Sequence, residues 1–298
     1  MNIGIVTDDN SGFPRDEAKK LGLYLVPMPI IIDGKEYYEN VTLTHDEFYD
    51  IQADDSHNIH TAQPTIGELF RVWDEALSVH DQILFIGMSS GLTGTIDTAK
   101  TLAQDEKYRG KVFVVDNHRI SITLRHSIYD ALELISRGKS AEEIQKYLEE
   151  TAQDSMIYLM VDTLKYLKKG GRVTPAAAAL GSILSIKPIL KIDGGKLDAK
   201  SKQVGSKAAM KNLIKFTKDD LDGMFKGKTD RIAFAMAYTH NEEKAIEYRK
   251  VVAEELHVSV EDIMMDPLSL SVAVHTGPGV LAIATSVLVD KDEIRSRS

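Results

Sequence analysis

A hydroxyl-rich segment at residues 89–95, S-S-G-L-T-G-T, has the residue types and spacing of an anion-binding turn. The apolar run Gln82–Ile86 precedes it, and a helical pattern over residues 95–104 follows it. A turn between a strand and a helix exposes backbone N–H groups and side-chain hydroxyls at the positive end of the helix. We therefore predict an anion site here, and these residues fit a carboxylate, a phosphate or a sulfate equally well.

The same segment contains the G-x-S-x-G pattern of a hydrolase nucleophile, with Ser89 as the serine. Such an enzyme needs an acid and then a histidine further along the chain, and Asp266 and His275 occur in that order. The pattern specifies only three of its five positions, and no glycine-rich oxyanion segment precedes it. A serine acyl-hydrolase that uses Ser89 and His275 is therefore kept as the alternative to a binding protein without a catalytic site.

A second hydroxyl-rich turn, T-A-Q-P-T at residues 61–65, leads into a helical pattern over Ile66–Leu77. We expect Thr61 or Thr65 to cap that helix, which leaves either residue able to bind a ligand as well. His275 follows a short apolar run and precedes T-G-P-G, so we predict a histidine on a glycine-rich turn that faces a cleft or has a structural role. The nine histidines are dispersed and cysteine is absent, so a metal site is not expected.

The overall composition excludes several classes of protein. The chain has 298 residues, of which 43% are hydrophobic, and this is enough for two domains with cores of their own. The formal charge of −9 argues against binding to nucleic acid or to an anionic membrane. No stretch approaches the roughly 18 apolar residues that span a bilayer, and the first eight residues lack the features of a secretion signal, so we expect a cytoplasmic protein. The lysine-rich residues 187–228 predict either a solvated face or a docking surface for an acidic partner.

Alternating strand and helix patterns in the first half predict an α/β domain built on a mostly parallel sheet. The strand patterns cover residues 3–6, 24–32, Gln82–Ile86 and Val112–Val115. The helical patterns cover Ile66–Leu77, 95–104, 128–136 and 140–151, and the last of them has a capping box formed by Ser140 and Glu143. Ligands of such sheets bind at the carboxyl ends of the strands.

The second half predicts another α/β domain, which gives domains 1–155 and 156–298. Its strand patterns cover residues 156–161, 187–192, Ile232–Tyr238 and 280–288. An Ala-rich helical pattern at residues 175–185 is apolar around most of its circumference, which indicates burial against protein or against an apolar ligand. The glycine-rich residues 223–229 lack the spacing and the preceding strand of a phosphate-binding loop, so we predict a surface turn there.

Five motifs, in the same order along the whole chain, resemble those of the DegV family of fatty-acid-binding proteins. They are T-A-Q-P-T at residues 61–65, S-S-G-L-T-G-T at 89–95, K-G-G-R at 169–172, K-P-I-L at 187–190 and H-T-G-P-G at 275–279. The resemblance implies two α/β domains with one long-chain fatty acid between them. It also implies that the carboxylate lies at the hydroxyl-rich turns and that the second domain encloses the tail.

The resemblance assigns roles to individual residues. It implies a carboxylate site formed by Thr61, Thr93, His275, Ser89, Ser90 and Gly94. Similar proteins have no cofactor and present the acid to a separate ATP-binding fatty acid kinase subunit, which forms an acyl phosphate for phospholipid metabolism. Arg172 matches the arginine that docks to that subunit. A second docking arginine of the family is replaced here, because residues 203–206 read Q-V-G-S and Val204 stands in its place.

Overall fold

Two sheets with helices packed against them, and a smaller third sheet, make up residues 2–180 and 186–290, which the computed structural model describes. The first part of the chain contains, in order, β1 (Ile3–Asp8), α1 (Arg15–Lys20), β2 (Leu23–Val26), β3 (Ile30–Ile32), β4 (Lys35–Tyr37), α2 (His45–Ala53), β5 (Ile59–Thr61), α3 (Ile66–Leu77), β6 (Gln82–Ile86), α4 (Thr95–Leu102), β7 (Val112–Val115), α5 (Ser121–Ser136) and α6 (Ala141–Glu150). The second part contains β8 (Ser155–Met160), α7 (Lys165–Gly170), α8 (Pro175–Ala178), β9 (Ile186–Ile192), β10 (Asp198–Val204), α9 (Ser206–Asp222), β11 (Ile232–Tyr238), α10 (Glu242–Leu256), β12 (Ile263–Pro267), α11 (Leu270–Thr276) and β13 (Leu281–Val287).

The N-terminal sheet is parallel throughout, with the strand order β2-β1-β6-β7. All six residues of β1 are buried, as expected for a strand covered on both faces. Helices α3 and α4 pack on one face, and α5 and α6 pack on the other. The predicted α/β fold is therefore confirmed, and the segment at residues 89–95 follows β6 at the carboxyl edge of this sheet.

The second sheet has the strand order β10-β9-β8-β13-β11-β12 and is antiparallel except for the pair β11 and β12. Helices α9 and α10 cover one of its faces. Its other face packs against apolar residues of the first domain, among them Leu92, Ile120 and Ile122. The boundary placed between residues 155 and 156 falls at the start of β8, the first strand of this sheet.

The predicted single strand over residues 24–32 is wrong, because the chain forms two strands that belong to different sheets. Strand β2 pairs in the parallel sheet, whereas β3 pairs antiparallel with β4 and β5. Pro27 and Pro29 lie between the two strands, and a proline cannot donate the N–H bond that a continuous sheet ladder requires. The small sheet and α2 pack on α11, which brings β5 and its last residue, Thr61, against the second domain.

Several helices follow the predicted patterns closely. Helix α3 has the predicted bounds and is capped by Thr65, and α6 has the predicted Ser140–Glu143 capping box.

Two other helices differ from the predicted bounds. Helix α5 begins at residue 121, seven residues earlier than predicted, and α8 ends at residue 178. The last residues of the predicted Ala-rich helix, 181–185, lie outside the described residues. Within residues 2–180 and 186–290, none of the helices combines the length and the apolar character needed to cross a membrane.

Candidate functional site

An amphipathic cavity lies where the carboxyl edge of the parallel sheet meets the inner face of the second sheet. Its volume is about 310 Å³, within the range of small-molecule sites. Most of its wall is apolar and comes from both domains, with Met88, Leu92, Ile120 and Ile122 from the first and Ile157, Leu159, Ile192, Leu197, Ala237, Ala282 and Ala284 from the second. The cavity can therefore take up a long apolar group and remove it from water.

One group of polar side chains in the wall comprises Thr61, Gln63, Thr93, Arg172 and His275, and Gly94 lies among them. Ser121, Ser271 and Thr276 also line the cavity. The residues of the group are linked to one another, because Thr61 contacts His275, and the Gln63 amide packs against Gly94. Ala62 and Gln63 are exposed to solvent, so the polar group marks the end of the cavity that faces water.

The hydroxyl of Thr61 and the ring of His275 form the first polar pair. Thr61 ends β5, and its Oγ1 lies 2.9 Å from Nε2 of His275. His275 lies in the last turn of α11 rather than on the predicted glycine-rich turn, which begins only at Gly277. Gly170 packs so closely against the ring that a methyl group at that position would collide with it. The neighbouring backbone therefore fixes the orientation of the imidazole.

His275 is neutral near pH 7. Burial, and then the positive charge of Arg172, lower the pKa of His275 to about 4. A neutral ring carries one N–H, and with that proton on Nε2 the ring donates to Thr61 Oγ1. The hydroxyl hydrogen of Thr61 is then free to donate to a ligand.

Thr93 and Gly94 form the second polar group, at the start of α4. The Oγ1 atoms of Thr93 and Thr95 are 2.9 Å apart, and the Thr95 N–H donates to Thr93 Oγ1 at 3.3 Å. The buried carboxylate of Asp8 accepts the Met88 N–H at 2.9 Å and so fixes the chain as it leaves β6. Because α4 points its N-terminus at this part of the wall, its dipole favours a negative charge there.

Ser89 and Ser90 do not belong to the cavity wall as the structure describes it, contrary to the expectation from the sequence. Ser89 is fully buried, and its hydroxyl donates to the carbonyl of Gly194 at 2.5 Å and accepts the Gly91 N–H at 3.1 Å. The N–H of Ser90 donates to Asp116 at 3.3 Å. Both serines therefore stabilise the turn, and neither is placed to bind a carboxylate in the cavity.

The geometry gives no support to the serine hydrolase alternative. The Ser89 hydroxyl is engaged with a backbone carbonyl, whereas His275 contacts Thr61. The carboxylate of Asp266 lies 2.9 Å from Arg125 and pairs with that guanidinium. A catalytic triad requires the serine, histidine and acid to be hydrogen-bonded in series, and these three residues have other partners.

Arg172, predicted from the resemblance as a docking residue, lines the cavity as well. Its Nη1 donates to the Gly170 carbonyl at 2.5 Å, and its Nε donates to the Leu92 carbonyl of the first domain at 3.4 Å. Among the described lining residues it is the permanent cation, and none of them carries a carboxylate. The charge at the cavity wall therefore favours an anionic ligand. In the described part of the chain, no group of three or more histidines or acids is arranged to hold a metal ion.

Sequence reasoning missed the positions of Arg172 and Gln63 in the wall. Gln63 lies inside the motif at residues 61–65, between the two threonines for which a cap or a ligand contact was predicted. Its amide oxygen accepts the Thr98 hydroxyl at 3.1 Å, which joins the turn before α3 to helix α4. The signal in the sequence was a long amide side chain inside a hydroxyl-rich turn, which indicates a residue that can contact a second polar segment.

The fold and this site define a class of two-domain α/β proteins with an amphipathic cavity between the domains. Residues 2–287 match the family model described as "Uncharacterised protein, DegV family", and the chain therefore belongs to the DegV family.

Individual relatives agree with this assignment. A DegV domain-containing protein of Deinococcus radiodurans is 30% identical over 288 residues, which cover 97% of this chain and 99% of that protein. A solved structure of a DegV family protein from Thermus thermophilus, described by its fatty acid binding, superimposes with a TM-score of 0.86 at 30% identity and covers 97% of this chain and 100% of that one. DegV of Bacillus subtilis, described as a fatty acid binding protein, gives a TM-score of 0.80 at 27% identity, with 96% and 99% coverage.

Proposed function

We propose that this protein binds a long-chain fatty acid between its two domains and has no catalytic site of its own. The observation that carries the proposal is a cavity that is apolar along most of its wall and polar at its solvent-facing end. A fatty acid has the same division between a long apolar tail and one charged head. The related proteins from Thermus thermophilus and Bacillus subtilis, which are described as binding fatty acids, support the proposal.

The tail supplies most of the affinity. Each methylene removed from water contributes about 0.8 kcal/mol, so a chain of a dozen methylenes contributes on the order of 10 kcal/mol before the costs of ordering and association. The aliphatic side chains of the wall have no hydrogen-bonding groups, so they do not distinguish one part of an alkyl chain from another. The tail therefore binds tightly, and the polar end of the cavity fixes its direction.

The polar end offsets the cost of desolvating the carboxylate. Thr61 and Thr93 supply hydroxyl donors, Arg172 supplies a positive charge, and the first turn of α4 supplies a favourable dipole. Hydrogen bonds to an ionised group are roughly twice as strong as those between neutral groups. This set of donors selects an acid over the corresponding alcohol or ester.

We further propose that the protein presents the acid to a separate ATP-dependent kinase subunit. The polar end is next to the exposed residues Ala62 and Gln63, so a partner can reach the carboxylate while the tail stays enclosed. Arg172 lies beside this end and would face that partner. At the position of the second family arginine, Val204 is 76% exposed at the end of β10, so docking there would use apolar contact instead of charge.

The direct test of lipid binding is mass spectrometry of lipid extracted from the purified protein. We expect about one intact fatty acid for each protein chain. A protein that purifies without lipid and fails to bind added fatty acids would contradict the proposal. A fluorophosphonate probe tests the hydrolase in parallel, and we expect Ser89 to stay unlabelled because its hydroxyl is buried and hydrogen-bonded.

The kinase partnership needs a separate assay. The lipid-loaded protein, a purified fatty acid kinase subunit and labelled ATP should together form acyl phosphate, whereas either protein alone should not. Arg172→Ala should reduce product formation, and Arg109→Ala, which removes an exposed arginine elsewhere, should not. Because Arg172 also supplies charge at the polar end, the two proteins are compared at saturating fatty acid. If lipid-loaded Arg172→Ala then forms product as fast as the wild type, the docking role fails.

A further inference from the structure

The inner face of the second sheet forms one wall of the cavity, and the residues that line the cavity occur at every second position of a strand. Residues opposite each other on neighbouring strands form rungs, and alternate rungs face the cavity. The first such rung joins Ala237, Ala282 and Leu159, and the next joins Ala284 and Ile157. Ile192 of β9 extends the second rung. The small alanine side chains leave space in the cavity next to this wall, whereas the larger isoleucine side chains narrow the cavity at one side.

The first rung is the nearer one to the polar end. Helix α11, which carries His275, leads directly into β13 through Gly277. Thr239 fixes this connection, because its hydroxyl donates to the Gly277 carbonyl at 2.8 Å and accepts the Val280 N–H at 2.9 Å. The second rung is two residues further along the strand, a distance of about 7 Å.

The apolar part of this wall ends after the second rung. The next residues on the same face are Ser286 of β13 and Ser155 of β8, which lie opposite each other. Neither lines the cavity, and the buried hydroxyl of Ser286 has no hydrogen-bond partner among the described residues. Ser286 is fully buried by the protein itself, so the space over this rung is already filled and an alkyl chain cannot extend onto it.

We propose that Ala284, together with Ile157 and Ile192, forms the end wall of the cavity and sets the upper limit of acyl chain length. This inference rests on the proposed function, because it requires that an acyl tail occupies the cavity. The terminal methyl group lies on the second rung, and the first rung contacts the middle of the chain. Side-chain size at position 284 therefore decides how many methylenes fit.

The test is a binding series with saturated fatty acids of increasing chain length. Ala284→Leu should lower the affinity for the longest acids that the wild type binds by about tenfold or more, because each displaced methylene costs about fourfold. Acids too short to reach the second rung should keep their affinity. Ala282→Leu should weaken short and long acids alike, because it blocks the first rung. Ile157→Ala should extend the limit to longer acids, and it tests the inference independently if Ala284→Leu does not fold.

A matched control separates cavity shape from general overpacking. Ala245→Leu adds the same bulk at a fully buried position of α10, on the other face of the sheet, so it should lower stability without changing the length profile. A length profile that is unchanged in both Ala284→Leu and Ile157→Ala would overturn the inference. Failure of the wild type to bind any fatty acid would instead overturn the proposed function.

Discussion

At the scale of single residues, the neutral state of His275 determines which groups can hold an anion. Because burial and Arg172 keep its pKa near 4, the ring contributes a hydrogen bond to Thr61 and no charge. Two hydroxyls, Thr61 and Thr93, then become the main side-chain donors, and Arg172 provides the charge. Anion binding at this site therefore depends on the orientation of two hydroxyl groups. Each hydroxyl can be removed by a single substitution.

Thr93→Val removes one of these hydroxyls and keeps nearly the same side-chain shape. A hydrogen bond to a charged group is worth roughly 1.5–3 kcal/mol, so we expect affinity for a long-chain acid to fall by about tenfold or more. Stability should change by less than about 1 kcal/mol, because only the contacts to Thr95 are lost. Thr101→Val, an exposed position of the same helix, is the control. Equal affinity in wild type and Thr93→Val would remove Thr93 from the site.

The titration of His275 can be measured by NMR in the lipid-free protein. We expect a pKa near 4, well below the ordinary value of 6.5. Between these values the unfolded chain binds a proton that the folded chain does not, so this residue's contribution to stability is present above pH 6.5 and is lost as the pH falls toward 4. Arg172→Ala should raise the pKa only in part, because burial is the larger cause. A wild-type pKa at or above 6.5 would contradict this description.

At the scale of elements, the hairpin of β9 and β10 and the turn after β6 position each other. The hairpin tip places Gly194 against the turn, where its carbonyl accepts the Ser89 hydroxyl. Ile192 and Leu197, on either side of the tip, line the cavity. This contact between the domains therefore holds one part of the apolar wall in place.

Gly91→Ala should disturb that contact. A methyl group at Gly91 would lie 2.6 Å from the Gly194 carbonyl oxygen and 2.7 Å from Gly195 Cα, and both are backbone atoms, so the hairpin must move. Overpacking of this kind costs roughly 1–3 kcal/mol, and we expect that loss in urea unfolding together with faster release of bound fatty acid. Gly67→Ala serves as the control, because its nearest neighbour is 3.9 Å away and alanine favours a helix. Equal stability of Gly91→Ala and wild type would show that the contact is not tight.

Local patterns predicted β6, β7, α3 and the capping box of α6, whereas side-chain direction at the site was not predictable. The caps of α3 and α6 follow from residues three positions apart, which is information within one turn of chain. Ser89 and Thr93 look equivalent in the sequence, but the turn points one hydroxyl at the hairpin and the other at the cavity. Helix α11 was missed because its seven residues contain too short an apolar run to show a helical period.

Helix α5 joins the two domains through buried polar groups. Arg125 of this helix bonds Asp266 of the second domain at 2.9 Å, and Asp130 accepts the Val289 N–H at 2.8 Å. His126 lies between them in sequence and is fully buried, and neither of its ring nitrogens has a hydrogen-bond partner among the described residues. Burial, with the nearby charges of Arg119 and Arg125, lowers the pKa of His126 to about 3.

His126→Leu should therefore make the protein less sensitive to acid. The unfolded chain protonates this histidine as the pH falls through 6.5 while the folded chain keeps it neutral, so the wild type loses about 2 kcal/mol between pH 8 and pH 5 through this residue. Leucine has a similar volume and no proton to gain, and removing two unsatisfied nitrogens should make the variant at least as stable at pH 8. Unfolding free energies measured at both pH values test this. A variant that loses as much stability as the wild type at pH 5 would contradict the prediction.

The small three-stranded sheet and α2 hold α11 from outside the cavity. Glu39 accepts the N–H of Leu270 at the start of α11 at 2.8 Å, and Gln52 donates to the carbonyl of Ala273 at 3.1 Å. His275 is in the last turn of the same short helix, so a shift of the helix along its axis would carry the imidazole with it. Mutations in the segment between β2 and α3 can therefore move His275 relative to the rest of the cavity wall without changing any residue that lines the cavity.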